Sequence, residues 1–284
     1  MGIPQSPSTI AQALAWIQAQ GLDRLDAQML LLRVLDRAEH ERAWLLAHDT
    51  DALPDSAHTA LQADVRRRAT GEPLAYITGH KAFYGLDLAV DSRVLVPRPD
   101  TETLVDWALE VLEAPCARVL DLGTGSGAIA LALKHTRPDL RVSAVDYSAD
   151  ALAVARSNAR HLRLEVAFSQ GSWLDGVHGE FDAIVSNPPY IRSDDHHLDA
   201  LTHEPLSALA SGADGLDDIR TIIRQAAPHL RGGGWLLLEH GYDQATTVRT
   251  LLNQAGFGYA QSRRDLAGIE RCSGARWPSA PQTS

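Results

Sequence analysis

Two consecutive prolines directly after a buried strand constrain this chain more than any other feature of its sequence. Residues 181–185 form an apolar run that predicts a strand of a parallel sheet, and Asn-Pro-Pro-Tyr follows at residues 187–190. Because proline has no backbone N–H, the strand must end there, and each proline also restricts the residue before it to extended geometry. The sequence therefore predicts a rigid turn at the carboxyl end of a strand, where open α/β sheets bind ligands.

This predicted turn offers an amide side chain, backbone carbonyls and an aromatic ring to a ligand. Carbonyl oxygens can accept both hydrogens of a planar NH2 group. The turn therefore favours a site that holds such a group, with Asn187 and Tyr190 as its side chains. The alternative interpretation, that the prolines only terminate the strand, stays open at this point.

A glycine-rich turn lies upstream. A strand predicted at residues 117–121 leads into Gly-Thr-Gly-Ser-Gly at residues 123–127, and a helical segment begins at Ala128. Glycines let the backbone turn tightly and approach a ligand closely. The next predicted strand ends in Asp146, 19 residues after Gly127. That spacing is close to the ~20 residues at which a carboxylate meets ribose hydroxyls in nucleotide-binding βαβ units.

The spacing of these glycines indicates which nucleotide binds. The pattern G-x-G-x-G differs from the dinucleotide fingerprint G-x-G-x-x-G and lacks the lysine of phosphate-binding loops. A ligand without phosphates, S-adenosylmethionine, fits better than NAD, which stays as the alternative. Asp146 also has a second interpretation, as a cap for the helical segment that starts near Ser148.

Taken together, these motifs resemble the S-adenosylmethionine-dependent methyltransferases that modify planar amino groups. Further segments narrow the resemblance to the HemK/PrmC family, the peptide chain release factor glutamine N5-methyltransferases. Two positions depart from the family pattern: Ser172 stands where an aspartate is usual, and His203 replaces the usual aromatic residue before Glu204. The segments that carry the resemblance are residues 71–79, 83–86, 96–102, 236–241 and 265–271.

The resemblance implies a role for each motif. The side-chain oxygen of Asn187 and the backbone carbonyl of Pro188 accept the two N–H groups of the target amide, and Tyr190 packs against it. The implied catalytic residues are Asn187, Pro188 and Tyr190, and Pro189 joins them in binding substrate. No metal is implied. The implied cofactor-binding residues are Gly123, Thr124, Gly125, Ser126, Gly127, Asp146, Trp173 and Asn187.

Composition narrows the class of protein and of partner. The chain has 284 residues, a net charge of −10 and two cysteines, Cys116 and Cys272, without metal-ligand spacing. This acidity argues against a partner held mainly by phosphate contacts, and the cysteine usage is typical of a reducing compartment. No apolar stretch approaches the ~20 residues that span a bilayer. We therefore expect a cytoplasmic protein that does not bind nucleic acid or membranes directly. The family resemblance implies that release factors are its partners, and we expect it to act as a monomer.

Hydrophobic periodicity predicts the fold. Before residue 74, short helices are predicted at residues 8–20, 25–37, 41–48 and 55–70. After Thr101, strands alternate with helices, which is the signature of a doubly wound, mostly parallel α/β sheet. The predicted strands are residues 117–121, 141–146, 164–168, 181–185, 234–239, 257–263 and 271–276, and the resemblance makes the last one antiparallel. The predicted domains are a helical release-factor-recognition bundle at 1–73, a β-hairpin linker at 74–100, a methyltransferase domain with a seven-stranded sheet at 101–277 and a flexible tail at 278–284.

Three functional hypotheses stay open on the sequence alone. The first is methylation of a release-factor glutamine, which lies in a Gly-Gly-Gln loop in the family. The second is methylation of an exocyclic amino group of adenine or guanine, for which a basic face and a base-flipping domain are expected. The third is a binding module without turnover. Two smaller features receive structural interpretations, a solvated loop for His196 and His197 and a hydrogen-bonding role for Glu239 and His240.

Overall fold

The structure is a computed structural model that describes residues 7–279. The chain forms two compact units, Met1–His80 and Lys81–Ser284. The part of the predicted flexible tail from residue 280 onward lies outside the described residues. In the described part of the chain, no helix is both long and apolar enough to cross a membrane.

The first unit is a bundle of short helices, as predicted. Its core contains Ile17, Leu30, Leu31 and Leu61, all essentially inaccessible to solvent. Thr9 caps the first helix by accepting a hydrogen bond from the backbone of Gln12. The helices are α1 (Ile10–Ala19), α2 (Arg24–Val34), α3 (Arg42–Ala47), α4 (Asp55–Ala69) and α5 (Leu74–Thr78).

The basic run near the end of α4 is engaged within this unit. Arg68 pairs with Asp26 at 2.6 Å and Arg67 pairs with Glu72 at 2.5 Å. These acids neutralise two of the three consecutive arginines, so the run does not form a free cationic patch. Two of the three arginines at residues 66–68 therefore form ion pairs within the bundle.

The predicted hairpin begins later than expected. Residues 74–78 are helical, which corrects the assignment of residues 74–100 to a β-hairpin linker. Pro73 precedes the helix, and Gly79 ends it with a left-handed φ of 82°. The hairpin itself consists of β1 (His80–Phe83) and β2 (Leu86–Ala89), and strand β2 buries Leu86 and Leu88 on one face. Buried and exposed residues alternate along β2, as they do in a half-buried strand, whereas the segment before His80 is helical.

The second unit contains the predicted doubly wound, mostly parallel α/β sheet. Its seven strands have the order β5-β4-β3-β6-β7-β9-β8, and only β9 runs antiparallel to its neighbours β7 and β8. The strands are β3 (Arg118–Leu122), β4 (Arg141–Asp146), β5 (Ala167–Gln170), β6 (Phe181–Ser186), β7 (Leu230–Glu239), β8 (Gly258–Arg264) and β9 (Glu270–Arg276). The helices are α6 (Glu102–Val111), α7 (Ala128–Thr136), α8 (Ala149–Leu162), α9 (Asp217–Ala226) and α10 (Ala245–Gln254).

Strand β5 corrects the predicted strand at residues 164–168. Arg163 ends α8 in a left-handed conformation, and the following apolar residues Leu164 and Val166 pack against the core outside any strand. Pairing with β4 starts only at Ala167, which lies opposite Ser143. The apolar residues at the start of the predicted strand therefore indicate packing against the core. The strand that pairs with β4 begins three residues later.

The sheet separates two apolar layers. On β3, Val119 faces one layer, while Leu120 and Leu122 belong to the other. Strands β3, β4 and β6 are parallel, so their carboxyl ends lie at one edge of the sheet. The glycine-rich turn follows β3, Asp146 ends β4, and the Asn-Pro-Pro-Tyr turn follows β6. The topology thus brings three predicted motifs together that are far apart in the chain.

Candidate active site

A cavity of about 330 Å³ opens at this edge of the sheet. That volume lies within the ~300–1,000 Å³ typical of small-molecule sites. Most of the predicted site residues line it: Gly123, Thr124, Gly125, Ser126, Asp146, Trp173, Asn187 and Pro189. Residues from outside the predicted set complete the wall, among them Arg98, Thr101, Tyr147, Ser172, Pro205 and Asp218.

The glycine-rich turn at residues 123–127, here called the glycine loop, is held mainly by its backbone. The N–H groups of Gly123 and Thr124 donate to the carbonyl of Val145 at 2.8 and 3.1 Å. Gly123 has a φ of 70°, and a Cβ there would lie only 3.2 Å from Cζ3 of Trp173. Glycine is therefore required at this position both by its conformation and by the close approach of the indole ring.

Asp121 supports the glycine loop from below the cavity. Its Oδ2 accepts hydrogen bonds from the Thr124 hydroxyl at 2.6 Å and from the backbone of Ala130 at 3.2 Å. Among the described residues, Oδ1 has no hydrogen-bond partner. Burial raises the pKa of this carboxyl to about 7, and the nearby charge of Asp146 adds to the rise against those hydrogen bonds.

Asp146 connects the glycine loop to the next helix. Its Oδ2 accepts from the Gly125 backbone at 2.8 Å, and its Oδ1 accepts from the Ser148 backbone at 2.9 Å. Burial raises the pKa of the Asp146 carboxyl despite these bonds. Ser148, not Asp146, is the residue that caps α8. Each carboxylate oxygen has a second lone pair, so Asp146 can accept from a ligand while it shapes the loop.

Trp173 and Ser172 form the part of the wall beyond β5. The indole Nε1 of Trp173 donates to Asp218 at 3.1 Å, and the other oxygen of Asp218 accepts from the Ser211 hydroxyl at 2.7 Å. Trp173 has a φ of 52°, which is rare for a bulky residue and is stabilised here by that hydrogen bond and by packing against the core. Its ring therefore has a defined orientation at the cavity wall.

The Asn-Pro-Pro-Tyr turn is held by side chains from other segments. Nδ2 of Asn187 donates to the hydroxyl of Thr101 at 3.2 Å. The hydroxyl of Tyr190 lies 3.5 Å from Oε1 of Glu239, and burial followed by the charge of Glu239 raises the pKa of the Tyr190 phenol. Pro188 is buried. The turn thus combines a rigid backbone with two anchored polar side chains.

Glu239 lies at the carboxyl end of β7 and is completely buried. Burial raises the pKa of its carboxyl to about 7, against hydrogen bonding from Thr101 and Tyr190 and attraction by Arg271. The neighbouring His240 contacts the Gly241 carbonyl at 2.8 Å and the Ser273 hydroxyl at 2.7 Å, and burial lowers its pKa. These contacts support the predicted hydrogen-bonding interpretation of both residues.

The segment after Tyr190 returns to the site. Ile191 donates its N–H to the Leu209 carbonyl at 2.8 Å. The buried carboxylate of Glu204 accepts from Arg98 at 2.5 Å and from the backbone of Val96 at 3.1 Å. This pair ties the segment to the chain that precedes α6, so the predicted departure at His203 does not detach the loop from the cavity.

Some predicted residues lie elsewhere. Within residues 7–279, Gly127, Pro188 and Tyr190 do not line the cavity. Gly127 has a φ of 87° and begins α7, and a Cβ there would lie 3.0 Å from Leu131, so its requirement is one of packing. Pro188 and Tyr190 belong to the turn whose other residues line the wall. Separately, His196 and His197 are exposed beside Asp195, and the expectation of no metal stays a prediction.

Comparison with known proteins shows which family this architecture belongs to. Residues 9–79 match a family model described as PrmC N-terminal domain, and residues 101–257 match the methyltransferase small domain. The chain is 48% identical to the release factor glutamine methyltransferase of Xylella fastidiosa strain Temecula1, covering 96% of this chain and 99% of that protein. This chain belongs to the release factor glutamine methyltransferase family. The family resemblance predicted from the motifs is thereby confirmed.

Other members and a solved structure agree. The release factor glutamine methyltransferase of Coxiella burnetii is 44% identical, covering 97% of this chain and 99% of that protein. A crystal structure of a methyltransferase from Pyrococcus furiosus matches with a TM-score of 0.55 at 20% identity, covering 77% of this chain and 98% of that one. At that identity the match concerns the fold alone, and it agrees with the predicted methyltransferase sheet.

Several site residues of this family member were missed by the sequence-based prediction. The motifs contain Asp121, Thr101 and Arg98, and Glu239 has a predicted hydrogen-bonding role, but the sequence assigns none of these residues to the site, nor Asp218. Asp121 had an available signal, because a charged residue inside an apolar strand must find partners in the interior. The contact between Thr101 and Asn187 had none, since 86 residues separate them in the chain.

Proposed function

We propose that this protein transfers a methyl group from S-adenosylmethionine to the side-chain amide nitrogen (N5) of the glutamine in the Gly-Gly-Gln loop of peptide chain release factors. The observation that carries this proposal is the position of Asn187 in the wall of the cavity that also contains the glycine loop and Asp146. A rigid amide-binding turn and a nucleotide-binding loop then share one site. Family membership supports the same reaction.

The residues present fit S-adenosylmethionine. A Cβ at Gly123 would crowd the ring of Trp173, so the glycine leaves the space beside that ring open to a ligand. We assign the ribose hydroxyls to Asp146, the adenine to the wall formed by Tyr147, Ser172 and Trp173, and the remainder to the glycine loop. The loop lacks a lysine, as expected for a ligand without phosphates. When bound, S-adenosylmethionine supplies an electrophilic methyl group and leaves as S-adenosylhomocysteine, and the nitrogen that accepts the methyl group releases one proton to water.

Positioning of the amide is the contribution assigned to the Asn-Pro-Pro-Tyr turn. A glutamine amide nitrogen is a weak nucleophile because its lone pair is delocalised into the carbonyl. The Oδ1 of Asn187 and the carbonyl of Pro188 accept the two N–H bonds, so that the nitrogen lone pair faces the methyl group. Pro189 restricts Pro188 to extended geometry and so orients that carbonyl. Tyr190 closes the turn from behind. Holding the amide in this orientation can raise the reaction rate by several orders of magnitude.

Partner and location follow from features outside the cavity. We assign recognition of the release factor to the helical bundle, predicted at residues 1–73, because a bundle whose dense basic run is internally paired offers a surface for protein. The hairpin linker then covers residues 80–100, after the helix at Leu74–Thr78, and the predicted methyltransferase domain covers residues 101–277. We place the reaction in the cytoplasm, with the protein as a monomer. We expect no direct contact with nucleic acid, because the net charge of the protein is −10.

A transfer experiment with labelled cofactor tests this function. Purified protein receives S-adenosylmethionine carrying a labelled methyl group, together with a release factor, its loop variant with Gln→Ala, or DNA and RNA. We expect label on the wild-type release factor only. Mass spectrometry of the digested product then locates the methyl group on the glutamine of the loop.

Each other outcome contradicts a defined part of the proposal. Label on the Gln→Ala variant at the same level would show that another residue is the acceptor. Label on nucleic acid instead would favour methylation of an exocyclic amino group. An absence of label, with cofactor still bound in a titration, would leave only the binding-module hypothesis.

A further inference from the structure

We propose that Asp218 is a positioning residue that sets the orientation of the Trp173 ring at the adenine side of the cavity. This inference rests on the proposed function and adds one residue to its site. Asp218 lies in the first turn of α9 and lines the cavity. One of its carboxylate oxygens contacts the ring, and the other contacts a serine of the segment that supports the Asn-Pro-Pro-Tyr turn.

The first contact is the hydrogen bond between Trp173 and Asp218. An indole N–H can only donate, so the ring needs an acceptor wherever its edge is removed from water. Oδ1 of Asp218 is that acceptor, at 3.1 Å from Nε1, and among residues 7–279 Asp218 is the only hydrogen-bond partner of the indole. On the other side, Cζ3 and Cη2 of the ring lie 3.2 and 3.6 Å from the position of a Cβ at Gly123. The ring is therefore held between α9 and the glycine loop.

The backbone at Trp173 makes this hydrogen bond more important. Its φ of 52° is in the left-handed region, which a bulky residue adopts only when its surroundings hold it there. The bond to Asp218 is one such constraint. Loss of the acceptor would leave the indole donor unpaired and would favour conformations in which the ring turns away from the cavity.

The second contact fixes the carboxylate itself. The hydroxyl of Ser211 donates to Oδ2 of Asp218 at 2.7 Å and accepts from the backbone N–H of the same residue at 2.9 Å. The backbone N–H can only donate and the carboxylate accepts, so this pair has a single arrangement. It also gives a partner to one of the first N–H groups of α9, which have none within the helix. Ser211 is buried and thus holds the acceptor for Trp173 in place.

Ser211 also connects Asp218 with the Asn-Pro-Pro-Tyr turn. Its backbone N–H donates at 2.9 Å to the carbonyl of Ile191, the residue directly after the turn. Gly215 packs on the turn so closely that a Cβ there would lie 2.2 Å from the carbonyl oxygen of Tyr190. The position of Asp218 is therefore fixed relative to the turn that we assign to the glutamine amide. The Trp173 ring and that turn thus keep a constant separation across the cavity.

A second polar side chain of α9 provides a matched control. Gln225 lies seven residues after Asp218, about two helical turns further along, so both side chains point to the same side of the helix. Its Nε2 donates to Asp175 at 3.0 Å, and its Oε1 accepts from the backbone of Leu174 at 3.3 Å. Gln225 thus holds the loop after β5 without a hydrogen bond to the Trp173 ring.

Substitutions at both positions separate orientation of the ring from anchoring of the loop. Asp218→Leu keeps a similar volume and removes both acceptors, whereas Asp218→Asn keeps an oxygen for Trp173 and can donate its amide to Ser211. We expect Asp218→Leu to weaken binding of S-adenosylmethionine by about 10-fold, because an unpaired donor has a cost of that size. Asp218→Asn should stay within about three-fold of the wild type and Gln225→Ala within about two-fold, as measured by calorimetric titration.

Either of two results in these titrations would overturn the proposal. Equal losses of affinity in Asp218→Leu and Asp218→Asn would show that an acceptor for the indole is not what position 218 supplies. A loss in Gln225→Ala as large as that in Asp218→Leu would show that affinity depends on anchoring of the loop and not on orientation of the ring.

A double substitution tests whether Asp218 acts through the ring. Trp173→Phe removes the indole N–H, so the acceptor has no donor to hold. Adding Asp218→Leu to Trp173→Phe should therefore change cofactor affinity by less than about two-fold beyond Trp173→Phe alone. Independent losses that multiply would mean that Asp218 acts by another route, and the positioning role would be wrong.

A spectroscopic measurement reports on the hydrogen bond without cofactor or turnover. The chain has six tryptophans, so labelling with 15N-indole tryptophan gives six N–H signals in an NMR spectrum, and Trp173→Phe identifies the one from Trp173. A bond to a carboxylate is charge-assisted, so we expect this signal at lower field in the wild type than in Asp218→Leu, with Asp218→Asn between them. The other five signals should keep their positions and are internal controls for folding.

The conservative variant keeps the NMR test valid if Asp218→Leu does not fold. Asp218→Asn retains both contacts, so the Trp173 signal alone should move in its spectrum. A Trp173 signal that stays at its wild-type position in Asp218→Asn would show that the indole is not bonded to this carboxylate, and the proposal would fail.

The two levels of the hypothesis fail differently. If the wild type binds cofactor but transfers no methyl group to a release factor, the proposed function is wrong, and the titrations and NMR spectra still test the role of Asp218. If the wild type transfers methyl groups and Asp218→Leu binds cofactor with unchanged affinity, only the positioning role is wrong.

Discussion

The two sides of the cavity are built in different ways. The glycine loop is shaped by its own backbone, through left-handed glycines and N–H groups that donate to Val145. The Asn-Pro-Pro-Tyr turn has a stiff backbone, but its polar side chains are held by Thr101 and Glu239 from distant segments. A loop can therefore approach a ligand through its local conformation alone. Orientation of one amide, by contrast, needs hydrogen-bond partners that only the folded chain brings near.

The largest effect is expected at the turn. Asn187→Ala removes the side-chain acceptor and should lower methyl transfer by about 1,000-fold, because single hydrogen-bonding groups at reaction centres contribute that much. Cofactor affinity should stay almost unchanged, since the glycine loop and Asp146 are intact. Initial rates and a calorimetric titration measure the two quantities. If both were lost together, Asn187 would mainly shape the cofactor site, and the division between the two sides would be wrong.

Buried carboxyl groups on both sides should make stability depend on pH. Asp121 and Glu239 have pKa values of about 7 in the folded protein, well above their usual values near 4. Their ionisation is disfavoured by folding, so the stability that each of these two groups contributes is greatest at low pH and falls by about 1.4 kcal/mol per pH unit as the pH rises from about 4 toward 7. Urea unfolding of the wild type, Asp121→Asn and Glu239→Gln between pH 5 and pH 8 measures this slope.

Each of these two substitutions should remove one group's share of the slope. Asp121→Asn replaces an unpartnered oxygen with an amide nitrogen and keeps an acceptor for Thr124, so it should be more stable than the wild type at pH 8. A slope in both variants equal to that of the wild type would show that neither group titrates in this range.

A smaller effect is expected at the glycine loop. Gly123→Ala must adopt a φ of 70° and place its Cβ 3.2 Å from Trp173, so cofactor affinity should fall by about 10-fold. Gly85→Ala is a matched control, because Gly85 has a φ of 76° in the hairpin turn with open space around its Cβ position. It should lose similar stability without losing affinity. If both variants lost affinity equally, the cause would be a general loss of folding and not a local contact of Gly123 with the cofactor.

The smallest effect is expected at the position that departs from the family pattern. Ser172→Asp restores a carboxylate at the cavity wall, and a charged acceptor should bind the adenine amino group about three-fold more tightly than a hydroxyl does. Ser169→Asp adds the same charge on exposed β5, outside the cavity wall, and should leave affinity unchanged. Calorimetric titration of both variants with S-adenosylmethionine measures the difference. A tighter Ser169→Asp variant would assign any gain to overall charge.

Prediction from the sequence succeeded where the signal was local. Alternating strands and helices gave the doubly wound sheet, and the glycine loop, Asp146 and the Asn-Pro-Pro-Tyr turn all lie at its carboxyl edge. It was wrong for β5, because Leu164 and Val166 are apolar for packing and not for pairing. It was also wrong for residues 74–78, which form a short helix between Pro73 and Gly79 with Tyr76 and Ile77 buried. Short apolar stretches do not distinguish these cases.

The fold class, the family and the backbone conformation of both binding elements follow from the sequence alone. Prolines and glycines impose their conformations wherever they occur, so their effect can be inferred without knowing the neighbours. The contacts of those elements, in contrast, depend on the folded structure. Thr101, Asn187 and Glu239 come from three separate segments, and burial of Asp121 and Glu239 depends on every layer packed around them. Hydrogen-bond direction and buried charge are properties of the assembled interior, because they depend on groups that the chain brings together only by folding.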